Sequence, residues 1–237
     1  MEQEALNGLT TPYILDRPAT QLLNDFGAGR ASPGSGSAAA LLSILSAKMI
    51  ITVCEISLGK DECSKSHKDF AFISENISEK IEPRLRELFE NDARDFEEVV
   101  ALRVKRDKAE STNERSKFSR QSLDLLETAT DYTFEVADLS FPLMEYGITV
   151  FENGWHAIRG DSGVSISAAM SGIMSSIFII NLNLKTLKNR KYAVNNLNRI
   201  EAIQKRLEKL QTNAFSCVTS ISAESLESIQ LEMTTDA

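Results

Sequence analysis

The sequence predicts an all-α protein, built as a single helical bundle of long helices. Three observations carry that reading. Prolines number only five and fall at apparent boundaries. Long stretches lack both Gly and Pro, and within them apolar residues recur at helical rather than alternating spacing. Residues 1–237 are read as one domain, because the length suits one large core and no linker or internal repeat divides it.

A short helix is expected over Ala19 to Phe26, ended by Gly27-Ala28-Gly29. A loop of small residues, Ser32-Pro33-Gly34-Ser35-Gly36-Ser37, then leads into a long helix from Ala38 to about Ser57, stopped by Gly59. At about 100° per residue, Lys48, Thr52 and Glu55 share one side of that helix and apolar residues cover most of the rest, which makes it central. From Lys68 to Asp107 the pattern stays helical, with Pro83 either a kink or the first residue of a new helix. The polar stretch Asp107 to Ser119 reads as a connection. Two helices follow, Arg120 to Ser140 and Pro142 to Glu152, and then a loop through Asn153-Gly154-Trp155-His156 and Arg159-Gly160-Asp161-Ser162-Gly163. In the helix from Val164 to Lys188, Ala168, Gly172 and Ser176 recur every fourth residue, a spacing that lets another backbone approach, with the Ala-rich second helix as partner. The last helix, Tyr192 to Ser225, carries Leu197, Ile200, Ile203, Leu207 and Leu210 in near-heptad spacing. Residues from Leu231 are expected to fray.

Hydrophobic residues make up 42% and charged residues 25% of the chain, which excludes global disorder. Thirty-four acidic against 26 basic residues give a net charge of −8, which argues against gripping nucleic acid. Cys54, Cys63 and Cys217 have neither paired nor metal-like spacing, so they read as apolar fillers of a reducing compartment. Met1 to Asp16 has no apolar run of signal length, and a cytoplasmic protein is expected. Ala38–Leu58 and Ile166–Leu187 are apolar enough to raise the question of a membrane. The first contains Lys48 and Glu55, the second Asn181, Asn183 and Lys185, so both read as buried helices with no membrane partner. The long apolar helices exceed what one bundle covers, so a symmetric homodimer is expected.

No HExxH, GxSxG, Walker loop or Cys/His cluster is present, and no metal site is expected. The landmarks that do stand out occur in a particular order. Pro33-Gly34-Ser35-Gly36-Ser37-Ala38-Ala39-Ala40-Leu41 resembles the Pro-Gly-Gly-Gly-Ser loop and Ala-rich helix of the formiminotetrahydrofolate cyclodeaminase and methenyltetrahydrofolate cyclohydrolase family. Gly59-Lys60, Asp92-Ala93-Arg94-Asp95-Phe96, Ala129-Thr130 and the helix from Asp161 to Asn181-Leu182 match further landmarks in the family's order, over Ala19 to Lys188. Four positions depart from its pattern: Ser35 for the second Gly, Asp95 for an Ala, Thr133 near the usual Pro, and Ile177 for an Asn.

The resemblance implies a tetrahydrofolate derivative as substrate and no permanently bound cofactor. Its two reactions are water addition to the methenyl carbon, and closure of N10 onto a formimino carbon with loss of ammonia. Both pass through a tetrahedral carbon between nitrogens and need proton transfer. Asp92 and Asp161 are the catalytic candidates. Pro33, Gly34, Ser35, Gly36, Ser37, Lys60 and Asn181 are the substrate-binding ones. Each has a plainer reading beside it: the loop an ordinary capped turn, Asp92 with Asp95 a solvated acidic stripe, Asp161 an N-cap, Lys60 a complement to a helix C-terminus, Asn181 a bond to a neighbouring helix. His67 and His156 look like surface residues. A second functional reading, a folate-binding or protein-interaction module that has lost turnover, is motivated by Ser35, Asp95 and Ile177.

Overall fold

A computed structural model describes residues 13–235, with side chains to residue 230. The reading of Met1 to Asp16 as free of a signal therefore lies, for residues 1–12, outside the described residues. Eight α-helices follow in order: α1 (Ala19–Gly27), α2 (Ser35–Leu58), α3 (His67–Asn76), α4 (Glu82–Lys108), α5 (Thr112–Asn153), α6 (Arg159–Thr186), α7 (Lys191–Asn195) and α8 (Leu197–Thr235). No strand occurs among the described residues, in agreement with the all-α expectation.

Helix α2 is central, as its nearly all-round apolar surface requires, and packs on α4, α5 and α6. Its contact with α6 is the one that small residues predict. A Cβ on Gly172 would lie 2.3 Å from Ser43 Oγ, so the two helices approach as closely as a glycine permits. Hydroxyls fill the seam. Ser43 pairs with Ser140 of α5 at 2.6 Å, and Ser46 donates to the Ser165 carbonyl at 2.8 Å. These contacts run α2 and α6 antiparallel, so the start of α2 meets the end of α6.

Helix α8 lies parallel to α5 in a fixed register. Tyr192, just before it, reaches Asp131, Arg199 reaches Asp138 and Arg206 reaches Glu145, always across 61 residues. The arginines also stack on Phe134 and Phe141. Cys54, Cys63 and Cys217 are free and buried, and burial pushes the Cys54 thiol up to about 12.

Several boundaries differ from expectation. Helix α2 begins at Ser35, so Ser35, Gly36 and Ser37 form its first turn rather than a loop. The connection expected over Asp107 to Ser119 is only Ala109–Ser111, because Ser111 caps α5 by accepting the Glu114 N–H at 3.1 Å. Its hydroxyl also donates to the Glu114 carboxylate at 3.1 Å. Arg120–Ser140 and Pro142–Glu152 are one helix. Pro142 forfeits one backbone bond, but its neighbours Phe141, Leu143 and Met144 are buried and keep the two halves in line. Pro83 lies in the first turn of α4, after a π-helical turn over Ile77–Ile81. The segment Arg159–Gly163 is the first turn of α6, not loop. The last helix is broken at Asn196, where α7 ends, and Leu197 is exposed while Ile200, Ile203 and Leu207 are buried. In place of fraying from Leu231, the backbone stays helical to Thr235.

Candidate active site

The end of the bundle where α2 starts and α6 finishes holds a cleft of about 170 Å³, walled by Gly34, Ser35 and Gly36, by Asp92 and Phe96 of α4, by Ala129 of α5, and by Ile179, Leu182 and Asn183 of α6. Among the described residues Asp92 is the only ionisable side chain on that wall, and it is 7% exposed. A buried carboxylate needs partners, and the first turn of α2 supplies them. The Ser37 hydroxyl donates to Asp92 Oδ2 at 2.8 Å, and the Ser37 backbone N–H bonds the carboxyl as well. Gly34, the residue before α2, offers no capping side chain, so Asp92 caps α2 from another helix, where the helix dipole favours negative charge.

Opposing forces act on this carboxyl. Burial pushes its pKa up and dominates, the Ser37 hydrogen bonds pull it down, and nearby Asp95 pushes it up further. The net effect is a carboxyl held above its ordinary range, the direction expected of a group that takes up and gives back a proton during a reaction. Asp95 itself is engaged elsewhere. It accepts from Tyr132 at 3.0 Å and from Arg94 at 2.8 Å, which makes it part of a structural network rather than a second free acid.

The predicted site residues divide into three groups. Gly34, Ser35, Gly36 and Asp92 meet in the cleft. Ser37 is fully buried and bonded to Asp92, so it positions that carboxylate instead of facing a ligand. Pro33 is buried and lines a separate depression together with Arg17, Arg30 and Glu97. Asn181 is exposed and donates to the Ile177 carbonyl of its own helix at 2.8 Å. The cleft asparagine is Asn183, whose two-residue offset from Asn181 turns it to another side of α6; its place one turn after the cleft-lining Ile179 is the signal that finds it. Lys60 and Asp161 lie at the opposite end of the bundle, some 35 Å along α2 and α6 by helical rise. There the Lys60 ammonium stacks 3.9 Å over the Trp155 ring, and Asp161 sits half-buried in the first turn of α6, where it is not the N-cap. Within one chain, then, Gly34, Ser35, Gly36 and Ser37 are brought to Asp92, and Pro33, Lys60, Asp161 and Asn181 are not. His156 is engaged by Arg159 at 2.9 Å, and His67 by the Lys60 carbonyl at 3.0 Å. No group of three or more His, Cys, Asp or Glu side chains is placed to hold a metal among the described residues.

Comparison with known proteins bears on this site. A family model described as formiminotransferase-cyclodeaminase matches residues 18–202. A methenyltetrahydrofolate cyclohydrolase of Methylorubrum extorquens is 24% identical over 190 residues, covering 80% of this chain and 89% of that protein. The crystal structure of a formiminotetrahydrofolate cyclodeaminase from Thermotoga maritima shares the fold, with a TM-score of 0.74, 15% identity, and coverage of 88% of this chain and 99% of that one.

Proposed function

Because the chain belongs to the formiminotransferase-cyclodeaminase family, we propose that it is a tetrahydrofolate one-carbon enzyme whose active site is the Asp92 cleft. The observation that carries this reading is a buried carboxyl with a raised pKa, held by the first turn of α2 on the wall of a cleft. Of the family's two chemistries, hydrolysis of 5,10-methenyltetrahydrofolate is the one supported by the sequence relative that aligns over most of both chains. Water adds to the carbon between N5 and N10, loses a proton, and the resulting tetrahedral carbinol opens by breaking one C–N bond. The Asp92 carboxylate takes the water proton and returns it to the leaving nitrogen, with the Ser37 hydroxyl bond on Oδ2 fixing its orientation. The Asn183 amide faces the same cleft and supplies a neutral donor or acceptor for the ring. The chain is further read as a cytoplasmic homodimer that binds folate without a permanent cofactor.

Incubating the protein with 5,10-methenyltetrahydrofolate and following its loss of absorbance tests the reading. Enzyme-dependent loss is expected. Ammonia release from 5-formiminotetrahydrofolate instead would assign the cyclodeaminase reaction. Folate binding with neither reaction would support the inactive module.

A further inference from the structure

We propose that Arg103 holds the glutamate carboxylates of the folate substrate, with the aminobenzoyl group lying across Phe96 between Arg103 and the Asp92 cleft. The proposal rests on reading that cleft as the active site.

The cleft cannot hold a whole folate. Its volume of about 170 Å³ falls below the roughly 300–1,000 Å³ of sites that enclose a small molecule, so the reacting ring enters and the aminobenzoyl-glutamate lies beyond the mouth. Helices α2 and α4 run antiparallel, since Ser37 meets Asp92 and Lys48 meets Glu82. Residues 93–108 of α4 therefore continue past the start of α2, and α5 returns beside them as far as Ala129 on the cleft wall. The Ser32 hydroxyl, bonded to the Ala93 carbonyl at 2.6 Å, holds the preceding loop against another flank of α4, beside Glu97, Val100 and Ala101.

One row of side chains leads out of the cleft along this hairpin. At about 100° per residue, Asp92, Phe96, Val99 and Arg103 fall within a sector of about 60° on α4, and Ala129, Ser122 and Phe118 share a face of α5 in the same way. Phe96 lines the cleft, Val99 is fully buried, and Arg103 and Phe118 are half-buried. Arg103 lies three turns beyond Asp92, roughly 16 Å by helical rise. The glutamate carboxylates of a folate lie roughly 10 Å from the carbon between N5 and N10, by standard bond lengths. Helical side chains lean toward the N-terminus of their helix. For Arg103 that is the direction of the cleft, and its length covers the remaining distance.

Among the described residues Arg103 is also the one arginine of α4 whose charge is unmet. Arg84, Arg86, Arg94 and Arg106 are each bonded to a carboxylate, of Glu135, Glu82, Asp95 and Asp107 in turn. Arg103 makes no hydrogen bond or ion pair among the described residues, and burial, with the like charge of Arg106, pushes its pKa down. A half-buried guanidinium without a counter-ion is poised for an incoming carboxylate, which it grips through two parallel N–H bonds. Residues 102–121 around it carry seven basic and three acidic side chains in a chain of net charge −8, so the hairpin tip draws an anion toward this end of the bundle.

Two substrates separate this role from a general loss of function: 5,10-methenyltetrahydrofolate, and 5,10-methenyltetrahydropteroate, the same molecule without its glutamate. The full-length wild type should favour the first in kcat/KM by roughly 10- to 100-fold, the worth of a hydrogen bond between charged groups, and chiefly through KM. Arg103→Ala should abolish that preference with circular dichroism unchanged. Arg103→Lys, which keeps the charge without the fork, should keep part of it. Lys117→Ala, at an exposed base on another face of the same hairpin, should keep all of it. A wild type without preference, an Arg103→Ala variant that retains it, or an equal loss in Lys117→Ala overturns the assignment. Calorimetric titration with 5-formyltetrahydrofolate and 5-formyltetrahydropteroate needs no turnover, and should show the same preference in Kd and its loss in Arg103→Ala. If the wild type turns over neither methenyl substrate, the proposed reaction fails and the titration decides Arg103. If neither formyl ligand binds the wild type, the Arg103 site fails as well.

Discussion

Gly36 and Asp92 compete for one volume: a Cβ on Gly36 would lie 2.2 Å from Asp92 Oδ1 and 2.5 Å from its Cγ. The glycine serves the carboxylate, not backbone flexibility, since it sits inside the first turn of α2.

Gly36→Ala is therefore expected to displace the Asp92 carboxyl while α2 stays helical. Turnover should fall by roughly 10²-fold or more, the scale of a misplaced general base. Circular dichroism should be unchanged. Wild-type turnover in the variant would show that the carboxyl position does not matter.

Ser37→Ala removes the hydroxyl that holds Asp92 Oδ2 at 2.8 Å. That bond lowers the carboxyl's pKa, so its loss should raise the pKa further. The Asp92 limb of the pH profile of kcat/KM should move to higher pH, whether Asp92 acts as acid or base. Ser37→Thr should restore the wild-type limb. An unmoved limb in Ser37→Ala would remove Ser37 from the site.

A second buried carboxylate behaves oppositely. Glu82 is 6% exposed and bonded by Lys48 and Arg86. Burial alone would raise its pKa, but the bonds from Lys48 and Arg86 outweigh it and hold the carboxyl below its ordinary range. Its folded pKa is depressed, so its stabilisation is present above the ordinary carboxylate range and is lost as pH falls through the depressed value. Glu82→Gln should cost about 1–2 kcal/mol at neutral pH and less in acid. Urea unfolding at the two pH values checks this; an equal loss at both would contradict it.

What the sequence disclosed depended on how locally each feature is encoded. Ala168, Gly172 and Ser176 revealed the α2–α6 contact because small side chains report backbone approach directly. The continuity of α5 was hidden by Pro142, whose cost is offset by burial of Phe141, Leu143 and Met144 on other helices' surfaces. Its true start was nonetheless written in Ser111 and Glu114. Asp92 was legible as a candidate from its motif, but its bond to Ser37 joins residues 55 apart and had no local signal. Asn183 was passed over for Asn181 because α6 is apolar on nearly all sides, so periodicity could not say which side faces the cleft. Motif order likewise could not reveal that antiparallel α2 and α6 carry Lys60 and Asp161 to the far end.

The central claim is that Asp92 performs the proton transfer, and Asp92→Asn tests it with two readings. Its folded pKa is raised, so the ionised carboxyl costs stability that is absent at low pH and grows as pH rises through the raised value. Replacing it should leave the neutral-pH melting temperature unchanged or higher, and less dependent on pH. Turnover of 5,10-methenyltetrahydrofolate should meanwhile fall about 10²- to 10⁴-fold, with KM much less affected. A variant that turns over like the wild type, or that loses activity only because it unfolds, would contradict the assignment.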